Sequence, residues 1–334
     1  MNPLKLIFYP TAFIKALFSS YSKTKTITKI TMIPSNLQDV DGSLKMEDMN
    51  DFYQFIEHRR AANSIPFPTP VELDNEEVTI KDDGPMRTFI WNDQNDPNQK
   101  VIFYLHGGSY FKQPGNHYFT HLNNWAKELN AKIIMPIYPK GPQYTFKDSA
   151  DKLLTMYRQL LSNVSSANQI FFIGDSAGAG LLTGLADNIA EQHIEQPKEI
   201  ILISPWLDIA TNNPEIEEFQ KIDPSLHQWQ LKEYGVRWAD GEENFENPLV
   251  SPIHSQQLLN LGKLTIIIGT HELFYPDSQL LHEKLNGLNV SHNFIVGDKL
   301  SHDFAVKNDF LGEVTRKIIS KIILEDLTDL NVIV

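Results

Sequence analysis

The chain has 334 residues, 41% of them hydrophobic and 21% charged, a globular composition with room for one large α/β domain plus an insertion or for two ordinary domains. A formal net charge of −13 argues against nucleic acid as a partner, because such binding draws on clustered Lys and Arg. The absence of cysteine excludes disulfides, a thiol nucleophile and thiolate metal sites, and nothing in the composition calls for a cofactor.

Residues 1–38 run against the acidic trend, carrying Lys5, Lys15, Lys23, Lys25 and Lys29 and no Asp or Glu. The apolar run over 4–18 is too short to cross a bilayer and is broken by Lys5, Pro10 and Lys15. No small-residue cleavage site follows it, so neither a span nor a cleavable signal peptide is expected. Two readings remain open for residues 1–30: a basic amphipathic segment on an anionic membrane surface, or a helix packed over the sheet as part of a lid. The expected location is the cytoplasm or the periphery of a membrane.

The first sheet strand is expected near Met86–Trp91, on alternation. From residue 100 onward, short β-rich apolar runs alternate with longer helical ones. Strands are expected at Val101–Leu105, Lys132–Ile137, 170–173, 200–203 and 264–268, with a shorter one at 292–296. Residues 146–162 place Leu153, Met156, Tyr157, Leu160 and Leu161 at helical spacing. The C-terminal stretch does the same with Leu311, Val314, Ile318, Ile322 and Ile323. The expected fold class is therefore α/β, with a mostly parallel central sheet flanked by helices. Two regions break the rhythm. They divide the chain into an N-terminal cap segment (1–75), a core (76–206 and 251–334) and a cap insertion (207–250) with a helix around 227–238.

The sharpest motif is Gly174-Asp175-Ser176-Ala177-Gly178, set between a strand and a helix as the G-x-S-x-G nucleophile turn requires. The turn is so tight that the neighbours of the serine must be small, and its hydroxyl then stands above the sheet. A hydroxyl needs a base that is itself oriented by a carboxylate. With this turn the partners follow in the order Ser, acid, His. Glu272 and Asp277 come after the last strong strand, and His302 lies in the loop before the final helix. His282 falls on a helical run; His117 and His121, at i and i+4, lack a carboxylate ligand nearby, and no metal is expected. His106-Gly107-Gly108 follows the strand ending at Leu105. Backbone N–H groups of Gly107, Gly108 and Ala177 are the expected oxyanion donors.

These segments resemble the hormone-sensitive-lipase-like branch of the α/β-hydrolases, the bacterial family IV esterases, over roughly residues 85–325. The matches are HGGSYF (106–111), the segment 138–142, GDSAGAG (174–180), SPWLD (204–208), NPLVSPI (247–253), GTHELFYPDS (269–278) and SHDF (301–304). The resemblance implies an α/β-hydrolase fold with a helical cap and a fluorophosphonate-reactive serine esterase. It aligns Glu272 with the catalytic acid, where the family usually carries Asp, and Asp277 with a second carboxylate. Asp277 also suits a helix N-cap. The chain reads YPKGPQ over 138–143, where relatives often carry Ala-Pro-Glu, so a loop-ordering Glu is missing.

The expected activity is cleavage of short- to medium-chain acyl esters through an acyl-enzyme on Ser176, with His302 as base and Glu272 as its orienting acid. Tyr110, Trp229, Tyr234 and Trp238, together with Phe8, Tyr9 and Phe13, are candidates for an apolar acyl pocket or for lid core. A ligand-binding protein without turnover is the competing class, and an amidase or deacetylase could use the same triad. A small acyl ester or lipid is the expected partner, with a homodimer left open.

Overall fold

In the computed structural model, described for residues 46–64, 67–70, 73 and 77–325 and for two short strands at Leu4–Lys5 and Ile30–Thr31, a central sheet runs through the core. Eight strands build it: β1 Val78–Asp83, β2 Met86–Trp91, β3 Val101–Leu105, β4 Lys132–Ile137, β5 Ile170–Asp175, β6 Glu199–Ile203, β7 Lys263–His271 and β8 His292–Ser301. Their spatial order is β1-β2-β4-β3-β5-β6-β7-β8. The pairs β1–β2 and β2–β4 are antiparallel, and all pairs from β4 to β8 are parallel. The two short strands pair in parallel with β8. The lid and membrane readings of residues 1–30, and Phe8, Tyr9 and Phe13 with them, otherwise fall outside the described residues.

The inner strands are apolar on both faces because helices cover both. Phe103, Leu105, Phe172, Ile200, Leu202, Leu264 and Ile266 point to one layer, with α3 (Phe146–Leu161), α4 (Ser176–Glu191) and α7 (Tyr275–Gly287). Ile102, Tyr104, Phe171, Ile173, Ile201 and Ile203 point to the other, with α2 (Asn116–Glu128) and α8 (Phe310–Leu324). Local sequence sets the helix starts. Thr145 and Asp148 form a capping box at α3, and Asp309 caps α8 by accepting from the Gly312 N–H at 2.8 Å. Among the described residues no helix is long and apolar enough to cross a membrane.

The sheet begins one strand earlier than the sequence suggests. In β1 every residue after Val78 is exposed, so no apolar alternation marks it; hydrogen bonding to β2, from Val78 opposite Trp91 to Asp83 opposite Met86, makes it a strand. β7 and β8 also run on to His271 and Ser301, past their apolar stretches.

Helix α1 (Met49–Asn63), from the N-terminal region, packs on α6 (Gln228–Trp238), from the insertion that also holds the short α5 (Ile216–Gln220). Phe52 lies 5.1 Å from the Tyr234 ring and 6.1 Å from that of Trp229, and Phe55 is 5.7 Å from Tyr234. At the other end of α1, the Asn63 amide donates to the carbonyls of Phe111 at 2.9 Å and Gly141 at 2.7 Å. These bonds fasten α1 to two core loops.

Candidate active site

Strand order decides which loops can meet. From β3 the chain moves outward to β4 and then returns to β5 on the other side of β3, so Leu105 lies opposite Gly174. A crevice opens at the carboxyl ends of strands where connections diverge in this way. The His106-Gly107-Gly108 loop and the Ser176 turn therefore face each other across it.

Ser176 opens α4 with φ 52°, a left-handed conformation that a residue with a β-carbon adopts at a cost of order 1 kcal/mol or more. The surroundings enforce it. A β-carbon on Gly178 would collide with the backbone oxygens of Leu105 and His106, so the turn fits against β3 only with glycine there. Ser176 is 4% exposed and sits at the amino end of the helix, where a developing negative charge is favoured.

The three residues expected to work together do meet. Ser176 Oγ lies 3.0 Å from His302 Nε2, and His302 Nδ1 lies 2.7 Å from Glu272 Oε2. The other oxygen of Glu272 accepts from the Ser204 hydroxyl at 2.9 Å and the Gly269 N–H at 2.6 Å. Ser204, at the end of β6, fills the space between the serine strand and the acid strand, and its Oγ also accepts from the Asp303 N–H at 3.1 Å. A register shift in β8 between Gly297 and Ser301 precedes His302. Asp277 does not join this group. Its Oδ1 accepts from the Asn213 amide at 2.9 Å, Oδ2 has no hydrogen-bond partner among the described residues, and the N-cap of α7 is Phe274. The N-cap reading of Asp277 thus differs from the structure, which places it at the third helical position because the helix starts at Tyr275.

Gly107 is placed differently from the expectation. Its N–H donates to Asp175 Oδ2 at 2.9 Å, so that hydrogen turns into the protein instead of toward an oxyanion. Asp175 also accepts from the Tyr104 hydroxyl at 2.7 Å and the Tyr118 hydroxyl at 2.5 Å. Burial, with the nearby Asp303 charge adding to it, pushes Asp175 up to about 7. Sequence reasoning passed over this residue although it stands inside the nucleophile motif. Gly108 has φ 114°, and Ser109 and Tyr110 follow at 53° and 64°. Three successive left-handed residues curl the loop over the serine, and only the first is glycine. Ala177, fully buried in the first turn of α4, carries a backbone N–H that the helix cannot satisfy.

The aromatic candidates separate into two groups. Tyr110 stacks on Trp238 with ring centroids 4.5 Å apart and lies 5.3 Å from Trp206. Trp206 stacks on Phe274 at 5.6 Å, and Phe274 meets the His302 ring edge-on at 5.2 Å. Tyr110 and Trp238 thus end a continuous aromatic wall that reaches His302, while Trp229 and Tyr234 fill the α1–α6 interface. Trp206 and Phe274 were not singled out in the sequence; their positions beside Ser204 and Glu272 were the available signal.

His302 carries a second contact, from Nε2 to Asp303 Oδ2 at 3.2 Å. Burial works against an imidazolium here, but Asp303 and then Glu272 outweigh it, and the His302 pKa is raised well above its ordinary value. Burial pushes Glu272 upward, against the bonds from His302 and Gly269. The insertion also reaches the acid: Asp223 Oδ2 accepts from the Leu273 N–H at 2.8 Å, next to Glu272. The other histidines weighed in the sequence lie elsewhere. His117 packs on Tyr118, His121 meets Asn308, and His282 pairs with His292 at 2.7 Å. In the 138–143 loop, Lys140 is buried against the Tyr138 ring, and the Tyr138 hydroxyl donates to the His106 carbonyl at 2.9 Å.

Comparison with known proteins agrees with this architecture. An esterase of Acinetobacter venetianus is 25% identical over 214 residues, covering 64% of this chain and 70% of its own. A solved structure from Staphylococcus aureus, with a provisional assignment as an esterase, superposes with a TM-score of 0.76 at 24% identity over 84% of this chain and 94% of that one. A hormone-sensitive lipase from a metagenome library gives 0.68 at 25% identity, over 83% and 98%. A family model described as the alpha/beta hydrolase fold matches residues 102–306, more than half of the chain, and the chain belongs to that family.

Proposed function

We propose that the chain is a carboxylic ester hydrolase that forms an acyl-enzyme on Ser176. The observation that carries this reading is the unbroken line from Ser176 Oγ to His302 Nε2 at 3.0 Å and from His302 Nδ1 to Glu272 at 2.7 Å. His302 takes the hydroxyl proton as Oγ adds to the ester carbonyl, and Glu272 holds the ring and the charge it gains. The N–H groups of Gly108 and Ala177 bind the oxyanion, each such donor being worth about 3 kcal/mol of barrier. Collapse expels the alcohol, which takes the proton from His302, and water repeats the sequence to release the acid.

The substrate is a short- to medium-chain acyl ester. The buried aromatic run of Tyr110, Trp206, Phe274 and Trp238 makes the surroundings of His302 apolar, which favours an apolar acyl group, and relatives that bear the names esterase and hormone-sensitive lipase support an ester as substrate. Residues 1–75 and 207–250 act as the cap, and residues 1–30 add either a lid or a membrane contact. Liposome co-sedimentation of the full chain against a chain lacking 1–30 separates the last two; equal binding leaves only the lid.

A fluorophosphonate probe should label the parent protein and fail to label Ser176→Ala, whose thermal unfolding should stay close to the parent's. Labelling that persists in the variant would reject the nucleophile.

A further inference from the structure

His302 Nε2 faces two groups at once, Ser176 Oγ at 3.0 Å and Asp303 Oδ2 at 3.2 Å. A neutral imidazole that donates from Nδ1 to Glu272 presents a lone pair at Nε2. A carboxylate against that lone pair is repulsive, whereas against the N–H of an imidazolium it is a favourable ion pair. The backbone fixes Asp303 in place. It has φ 56°, its N–H is held by Ser204, and its carbonyl accepts from Val306 at the start of the short 3₁₀ turn Phe304–Val306. Its other carboxylate oxygen, Oδ1, is buried without a hydrogen-bond partner among the described residues. The side chain therefore has its polar contact at the catalytic ring.

We propose, resting on the hydrolase reading above, that Asp303 is a positioning residue that holds the His302 imidazolium in the resting site, competes with Ser176 for Nε2, and sets the acid limb of turnover. The ring lies between two carboxylates, Glu272 hydrogen-bonded at Nδ1 and Asp303 in charge contact with Nε2, and must lose the proton that the Asp303 charge favours at Nε2 before it can accept one from Ser176. The charge balance is local. Asp175 at the end of β5 adds negative potential beside Asp303, the Tyr104 and Tyr118 hydroxyls donate to Asp175, and Arg316 of α8 lies near Tyr104 as the opposing cation. Once Ser176 has attacked, the same carboxylate stabilises the imidazolium that forms.

The test is the pH profile of kcat/KM for p-nitrophenyl acetate in the parent and in Asp303→Asn. Asparagine tolerates the left-handed backbone and removes only the charge. The acid limb of Asp303→Asn should move down by about one pH unit, so that relative activity on the acid flank rises about tenfold. Asp303→Glu should keep the limb near the parent's. A limb that stays in place in folded Asp303→Asn overturns the proposal. ¹⁵N NMR of histidine in the parent gives a reading that needs no variant. Both nitrogens of His302 should be protonated at pH 7, and a neutral ring at that pH also overturns it. The NMR result needs no turnover and so stands apart from Ser176 labelling, whose failure would instead sink the hydrolase reading.

Discussion

At the scale of single residues, the choice of acid separates two carboxylates only five positions apart. Glu272 gives both oxygens to the site, one to His302 and one to Ser204 and Gly269, whereas Asp277 bonds Asn213 and does not touch the ring. Glu272→Gln preserves shape and removes the charge that fixes the imidazole tautomer, and the corresponding loss in other triads is about 10⁴ in kcat. Turnover of Glu272→Gln should fall by a similar factor, while Asp277→Asn keeps close to parental turnover. The reverse result would transfer the acid to Asp277. The serine and the histidine could be read from the sequence because motif and chain order constrain them, whereas chain order left Glu272 and Asp277 both open and the family resemblance alone favoured Glu272. The engagement of Gly107 by Asp175 could not be read there, since it depends on which way one peptide turns beneath a strand-to-strand contact. Trp229 and Trp238 look alike in sequence, nine residues apart on one helix, and only packing reveals that one faces α1 and the other faces Tyr110.

At the scale of elements, the strands legible in advance were those with both faces covered, since burial writes a continuous apolar run. The hairpin strand Val78–Asp83 was hidden because its side chains face solvent, and the ends of β7 and β8 because the chain turns polar where it delivers Glu272 and His302. The partnership of α1 with α6 showed in the sequence only as two irregular regions assigned to one cap; the contact itself joins residues about 180 positions apart. Phe52 is its centre, fully buried against Trp229 and Tyr234 with the Arg237 guanidinium 5.0 Å from its ring. Truncating such a ring removes buried area and leaves a cavity, so Phe52→Ala should cost about 3–5 kcal/mol in chemical denaturation. Tyr53, its half-exposed neighbour, should tolerate Ala within about 0.5 kcal/mol. Equal effects at the two positions would contradict the packing of α1.

At the scale of the whole molecule, a chain of net charge −13 has enclosed several of its carboxylates, and this makes its stability depend on pH. Asp277 is the clearest case, because it takes no part in the proposed chemistry. Burial is the largest influence on it and raises its pKa from 3.8 to about 7, with the Asn213 bond opposing. The folded state therefore holds a proton that the unfolded chain releases near pH 4. Between those values the native protein binds more protons than the unfolded one, so stability falls as pH rises through the window. The favourable contribution is complete below about pH 4 and gone above about 7. About three pH units at 1.4 kcal/mol each set an upper bound near 4 kcal/mol. Asp277→Asn keeps an acceptor for Asn213 and has no charge to desolvate. Urea denaturation should find the variant more stable than the parent by only about 1 kcal/mol at pH 4.5 and by up to about 4 kcal/mol at pH 8. Stability curves that run parallel across this range would mean that the Asp277 carboxylate ionises in the folded protein at its ordinary pKa.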